Sequence, residues 1–117
     1  MALNLASTAT ITPITVGQAI TTAATAIVTN ASASSHIMKI NSLYISNVNG
    51  TTAATVNVEV YKNQTTSYRI AYLVSIPAGA SLSIIDKLIY LQENDSLRLT
   101  ASVNSYLEAV CSYEDLS

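Results

Sequence analysis

His36 and Cys111 are the side chains best equipped for nucleophilic chemistry, and the chain holds one of each. A thiolate beside an imidazole base makes an activated nucleophile. Here the two are far apart in sequence, and no local pattern joins them. A small buried Cys and a polar His at the start of a strand is the better reading. A structural zinc site needs four N or S ligands, which these two residues cannot fill. The carboxylates are Glu59, Asp86, Glu93, Asp95, Glu108, Glu114 and Asp115. Glu93-Asn-Asp95 could offer oxygens to calcium, but it lacks the ligand count and the Gly of an EF-hand loop. It reads as a solvated turn. Asp86 and Glu108 could act as a glycosidase pair only if the fold held them a few ångströms apart beside a cleft. Nothing local does so. The seven tyrosines, at 44, 61, 68, 72, 90, 106 and 113, are the only aromatics. They suit packing first, then a protein interface, then a sugar-stacking platform. Three glycines cannot form a phosphate-binding loop. The sequence therefore leads us to expect no catalytic residue, no cofactor and no bound metal, and so no enzyme.

The composition points the same way. Charged residues make up 10% of the chain and hydrophobic residues 50%, whereas a small soluble domain usually carries about 25–35% charge on its surface. Ser, Thr and Asn supply the polarity. Such a surface suits cover by other protein better than acid–base work. The basic residues Lys39, Lys62, Arg69, Lys87 and Arg98 are scattered, which argues against nucleic-acid binding. One cysteine makes no intramolecular disulfide. The first residues carry no basic and apolar signal pattern, and no apolar run is long enough to span a bilayer. The expectation is a soluble protein made in a cytoplasm. Asn-x-Ser/Thr occurs at Asn30, Asn49, Asn63 and Asn94, and we read these sites as unmodified.

The elements that would position these residues are strands. Apolar residues alternate at Val56/58/60, at Tyr68/Ile70/Tyr72/Val74/Ile76, at Leu97/Leu99/Ala101/Val103 and at Leu107/Ala109/Cys111/Tyr113. Turn signals separate them: Asn47–Gly50, Lys62–Thr66, Pro77–Gly79, Gln92–Asp95 and Asn104-Ser105. Between His36 and Asn47 the apolar parity switches, from Met38 and Ile40 to Leu43 and Ile45. A bulge near Asn41-Ser42 would reconcile the two halves. Residues 1–35 are rich in Ala, Thr and Ser and should hold one or two strands, with Pro13 at an edge or a break. The expectation is an all-β chain: an antiparallel β-sandwich or jelly roll of about eight strands, residues 19–117, preceded by an extended arm over residues 1–18.

The stretch Ile76-Pro-Ala-Gly-Ala-Ser-Leu-Ser-Ile-Ile-Asp-Lys87, with Ile89 to Ser102 and Leu107 to Ser117, resembles small virion proteins of tailed bacteriophages, notably those of cyanophages. Members commonly read PAG…DK…YLEEGDSL…TAS…L…SYE near their C-termini. Gln92 and Asn94 stand here for the usual Glu and Gly. The resemblance covers roughly residues 68–117, and its motifs are structural. It implies a β-sandwich subunit of a phage particle, either a capsid decoration (cement) protein, often trimeric, or a neck or tail component.

The functional expectation is a virion structural protein that stabilises the capsid lattice as a homotrimer, through many weak contacts multiplied by symmetry. Its partners would be the major capsid protein or other virion proteins. The spaced apolar residues Leu3, Leu5, Ile11, Ile14, Val16 and Ile20 would make protein contacts, with the arm lying across a neighbour. One alternative is a neck or tail adaptor or a fibre-associated protein. Another is a carbohydrate-binding, adhesin-like sandwich module.

Overall fold

The computed structural model describes residues 10–85 and 87–117. They form nine antiparallel strands in two sheets, and the described residues contain no helix. The strands are β1 (Ile11–Ala19), β2 (Thr25–Thr29), β3 (Ile37–Asn47), β4 (Ala54–Lys62), β5 (Thr66–Ile76), β6 (Ser81–Ile85), β7 (Ile89–Leu91), β8 (Ser96–Ala101) and β9 (Leu107–Leu116). One sheet runs β1-β9-β3-β6, with β7 also paired to β3; the other runs β2-β8-β4-β5. β6 and β7 pair with successive parts of β3 and act as two halves of one broken strand. Eight strand positions in this order form a jelly roll. The expected fold class is therefore present, with nine strands rather than about eight because β6 and β7 are separate.

The core lies between the sheets. Ile40, Leu43 and Ile45 face Leu97, Leu99, Val56 and Val58, all essentially inaccessible to solvent. Burying each large aliphatic side chain stabilises the fold by about 1.5–3 kcal/mol. The strand alternation in β4, β8 and β9 is the inward-facing set that period-two reading expects. The register of β3 against β9 shifts between Ile40 and Ser42. This is the bulge expected from the parity switch, and it keeps Ile40 and Leu43 both pointing inward.

β5 departs from the sequence reading. Tyr68, Ile70 and Tyr72 were expected to share a face with Val74 and Ile76, yet all three are exposed, while Ala71 is buried. Two register shifts against β4 account for the outward Tyr72 and the buried Ala71: Val56 pairs with Val74, Val58 with Ala71 and Glu59 with Arg69. Each shift adds a residue to β5 and reverses the side-chain phase beyond it. The second therefore restores the phase at Tyr68, which lies opposite Val60 and is exposed because β5 is the sheet's edge strand.

The N-terminal expectation also changes. Residues 1–9, including Leu3 and Leu5, lie outside the described residues. Residues 11–18 of the expected arm form β1, which pairs with β9 in unbroken register and so belongs to the sandwich. The Ile-Thr-Val alternation there suits a strand.

Two buried asparagines fasten the loops at the ends of the sandwich. Asn30 Nδ2 donates to the carbonyls of His36 (2.8 Å) and Leu91 (3.0 Å), and Oδ1 accepts from Ser34 Oγ. Asn47 Nδ2 donates to the carbonyls of Thr52 (2.9 Å) and Ile76 (3.0 Å), and Oδ1 accepts from the Asn49 amide. Asn30 is fully buried with its amide engaged. A glycan there would have to break both bonds.

Candidate functional site

The residues first considered for chemistry are held apart and engaged in structure. Cys111 lies in the core, with Val16 and Leu43 as its neighbours on adjoining strands. Burial pushes its thiol up to about 11. His36 sits elsewhere, with Nδ1 2.8 Å from Asp115 Oδ1. That contact is a hydrogen bond when Nδ1 carries the proton; Oδ1 has no other donor. The imidazole is thus paired with a carboxylate and not with the thiol.

Asp95 is buried and turned inward. Its Oδ2 accepts from Lys62 Nζ (2.6 Å) and the Gln92 amide (3.0 Å), and Oδ1 accepts from the Asn63 amide (2.9 Å). Burial pulls its pKa upward, but the Lys62 ammonium and the two backbone amides outweigh this and hold it below the ordinary carboxylate value. Glu93 Oε2 accepts from the Ser35 amide. Asn94 takes a left-handed φ of 73°, a conformation that Gly adopts most readily and Asn tolerates. Among the described residues no group of three or more His, Cys, Asp and Glu side chains is placed to hold a metal. Asp86 lies outside the described residues.

On the outer face of the β2-β8-β4-β5 sheet, Arg98 donates through Nε (3.0 Å) and Nη2 (2.7 Å) to Glu59 Oε1, and through Nη2 to Ser67 Oγ (2.9 Å). Its guanidinium lies 3.8 Å from the Tyr61 ring centroid. Sequence reading did not find this cluster. Its signal was the opposed Glu59 and Arg98 on neighbouring strands, which becomes visible only once the register is known.

Exposed apolar side chains are spread over the described residues, Tyr44 and Val110 on the β3–β9 face and Ile11 on β1 among them, and several gather on one flank. The free edges of β5 and of β6–β7 lie side by side there. Tyr68 (62% exposed), Tyr72 (58%) and Leu73 (57%) project from β5, with Leu82 from β6 and Leu88 from the β6–β7 link. Ile70 turns toward the β6–β7 rim, where it lines a shallow cleft of about 140 Å³ with Ile84, Ile85, Lys87, Leu88 and Ile89. Arg69 lies 4.7 Å over the Tyr72 ring. The bulge in β5 opposite Val56 and Val58 turns Tyr72 and Leu73 outward. Leu73 has φ 52°, which is unusual for a bulky residue. Edge bulges impede strand addition but present side chains. This flank therefore presents side chains rather than a regular backbone ladder.

The described residues among those expected to make contacts, Ile11, Ile14, Val16 and Ile20, lie elsewhere. Ile11 is exposed, while Ile14 and Val16 are half-buried on the inner side of β1. Ile20 is corrected: it is 1% exposed and packs the chain's own core, because β1 brings it beneath the sheet.

No known protein family and no curated protein matches this chain. Among solved structures, its fold is similar to a chain from Bacillus endospore appendages, described as a novel family of disulfide-linked pili. The TM-score is 0.56 at 16% sequence identity, over 92% of this chain and 87% of that one. At this identity the likeness is one of fold.

Proposed function

We propose that this chain is a structural subunit that works through protein–protein contact within a multi-copy assembly, without catalysis or cofactor. The exposed apolar flank of β5 and β6–β7 carries this reading. An apolar rim of Tyr, Ile and Leu side chains on a charge-poor domain marks an interaction site. The flank is also held outward at a conformational cost at Leu73, which the isolated domain does not need.

The finer reading is a decoration protein seated on the capsid lattice of a tailed phage, made in the host cytoplasm and acting as a homotrimer. It is supported by the resemblance of residues 68–117 to phage virion proteins and by a jelly-roll fold, which viral capsid domains share with lectins. A neck or tail position draws on the same resemblance. The fold likeness favours a second reading, a subunit of a surface appendage. The disulfide linkage named for those pili has no ready counterpart here, because Cys111 is the one thiol of this chain and is buried. Cohesion in this assembly is noncovalent.

Quantitative mass spectrometry of purified particles tests the reading. A copy number on the scale of the major capsid protein is expected. A handful of copies would move the protein to the neck or tail. Recovery in surface fibres and not in particles would favour the appendage.

A further inference from the structure

The four edge positions of the two sheets are not protected alike. β2 is short and has a register shift between Ala26 and Val28. β5 carries two shifts. The fourth edge is broken into β6 and β7. Such bulges and short edges are devices that stop sheets from joining. β1 has none of them beyond Pro13: it runs nine residues in unbroken register and contains no charged residue.

The direction of its free hydrogen-bonding groups follows from its two ends. Thr10 and Ser117 exchange both backbone bonds, at 2.6 and 2.9 Å, and the Ile20 amide donates to Leu107 at 2.9 Å. Antiparallel pairing alternates, so even-numbered residues from Thr10 to Ile20 bond to β9. The odd-numbered residues Thr15, Gly17 and Ala19 turn their amides and carbonyls to the other side, the edge that no strand covers among the described residues. Pro13, which has no amide to offer, falls on that side too.

We propose that the open edge of β1 pairs antiparallel with β1 of a second copy of this chain, about a twofold axis near Val16, joining two sheets into one. Thr15 then lies opposite Gly17 of the second copy, and Pro13 opposite its Ala19. About six backbone bonds form, with Pro13 needing only its carbonyl. Neither strand carries charge, so the twofold opposes no like charges. The side chains complement one another as well. Ile11 is 58% exposed at one end of the strand's outer face. At the other end the small residues Gly17, Ala19 and Ala109, with Gln18, Glu108 and Val110, leave a groove of about 320 Å³. A twofold axis brings Ile11 of each copy beside that groove on the other. This contact lies on the flank opposite the one proposed for the assembly partner, and its test reads self-association alone.

The test substitutes Gly17, where an added Cβ meets nothing closer than the Ala109 carbonyl oxygen at 3.7 Å, an ordinary contact. Sedimentation of the full chain is expected to show a dimer or, where the threefold contact of the capsid reading also forms, paired trimers. Gly17→Lys should raise the dissociation constant at least about tenfold, by setting like charges across the axis. Mixing Gly17→Lys with Gly17→Glu should restore dimers. In hydrogen exchange, the amides of Thr15, Gly17 and Ala19 should gain protection as concentration rises, whereas those of Val16 and Gln18 should be protected throughout. A dimer unaffected by Gly17→Lys overturns the proposal. If such a dimer is lost on deleting residues 2–9, that segment is the occupant instead. A monomer at all concentrations overturns it as well, whether the three amides exchange fast or are already protected within one chain.

Discussion

The Leu73 amide donates to Asn57 Oδ1 at 2.7 Å, and this bond secures Leu73 in a left-handed conformation with its side chain in solvent. The left-handed state disfavours a residue with a Cβ by about 1–2 kcal/mol. Leu73→Gly should therefore leave stability unchanged or raise it by up to about 1 kcal/mol, since glycine's greater unfolded freedom offsets part of the relief. The same change should weaken binding to the assembly. Asn57→Ala should destabilise by about 1 kcal/mol through the lost bond. Urea denaturation of both variants, beside a particle-binding assay, checks this.

Asn47 serves the carbonyl of Thr52 in the β3–β4 loop and that of Ile76 at the end of β5 while itself 2% exposed. Asn47→Ala leaves the Thr52 and Ile76 oxygens without that donor, and should destabilise by about 2–3 kcal/mol. Asn30→Ala should do the same at the opposite end. Chemical denaturation should show a lower midpoint with an unchanged slope.

Asp95 gives the fold an acid-sensitive joint. Its folded pKa lies below the ordinary value, so its contribution is fully present above about pH 3.9 and is lost as pH falls through the lower folded value. Asp95→Asn should cost about 1–3 kcal/mol at neutral pH, because Lys62 and the Asn63 and Gln92 amides lose a charged acceptor. The variant's stability should also vary less with pH below 4. Denaturation curves from pH 2 to 7 provide the measurement.

Cys111 should be inert in the native protein. With its thiol raised to about 11 by burial, it presents little thiolate at neutral pH. A thiol-reactive dye should label it only after denaturant is added. Above about pH 9 the thiolate favours the unfolded chain, so stability should decline as pH rises toward 11. Cys111→Ala should leave assembly intact, and non-reducing gels should show no linked oligomers.

Much of the fold was legible because strands buried on one face write their register into the sequence. Leu97, Leu99 and Ala101 read correctly for that reason. The β3 bulge was legible too, since a parity switch between Ile40 and Leu43 has no other economical solution. β5 misled because its alternation is regular in sequence but interrupted twice in space, and neither Ile70 nor Leu73 is a residue type that signals a bulge. Part of the candidate contact surface was missed for the same reason: Tyr72 looked like core, while Tyr68 keeps the expected phase and is exposed on the edge strand. Ile20 looked like part of an arm because nothing local shows that β1 returns to pair with the last strand.

In the proposed function, the β5 and β6–β7 flank holds this subunit in its assembly. The most direct measurement is the copy number of a Tyr68→Ser, Tyr72→Ser, Leu73→Ser variant in purified particles, beside its thermal stability. These three side chains are more than half exposed. The variant should unfold within a few degrees of the parent and be incorporated at least about tenfold less, as loss of interface anchors implies. A variant that folds normally and is incorporated at the parent's copy number would contradict it.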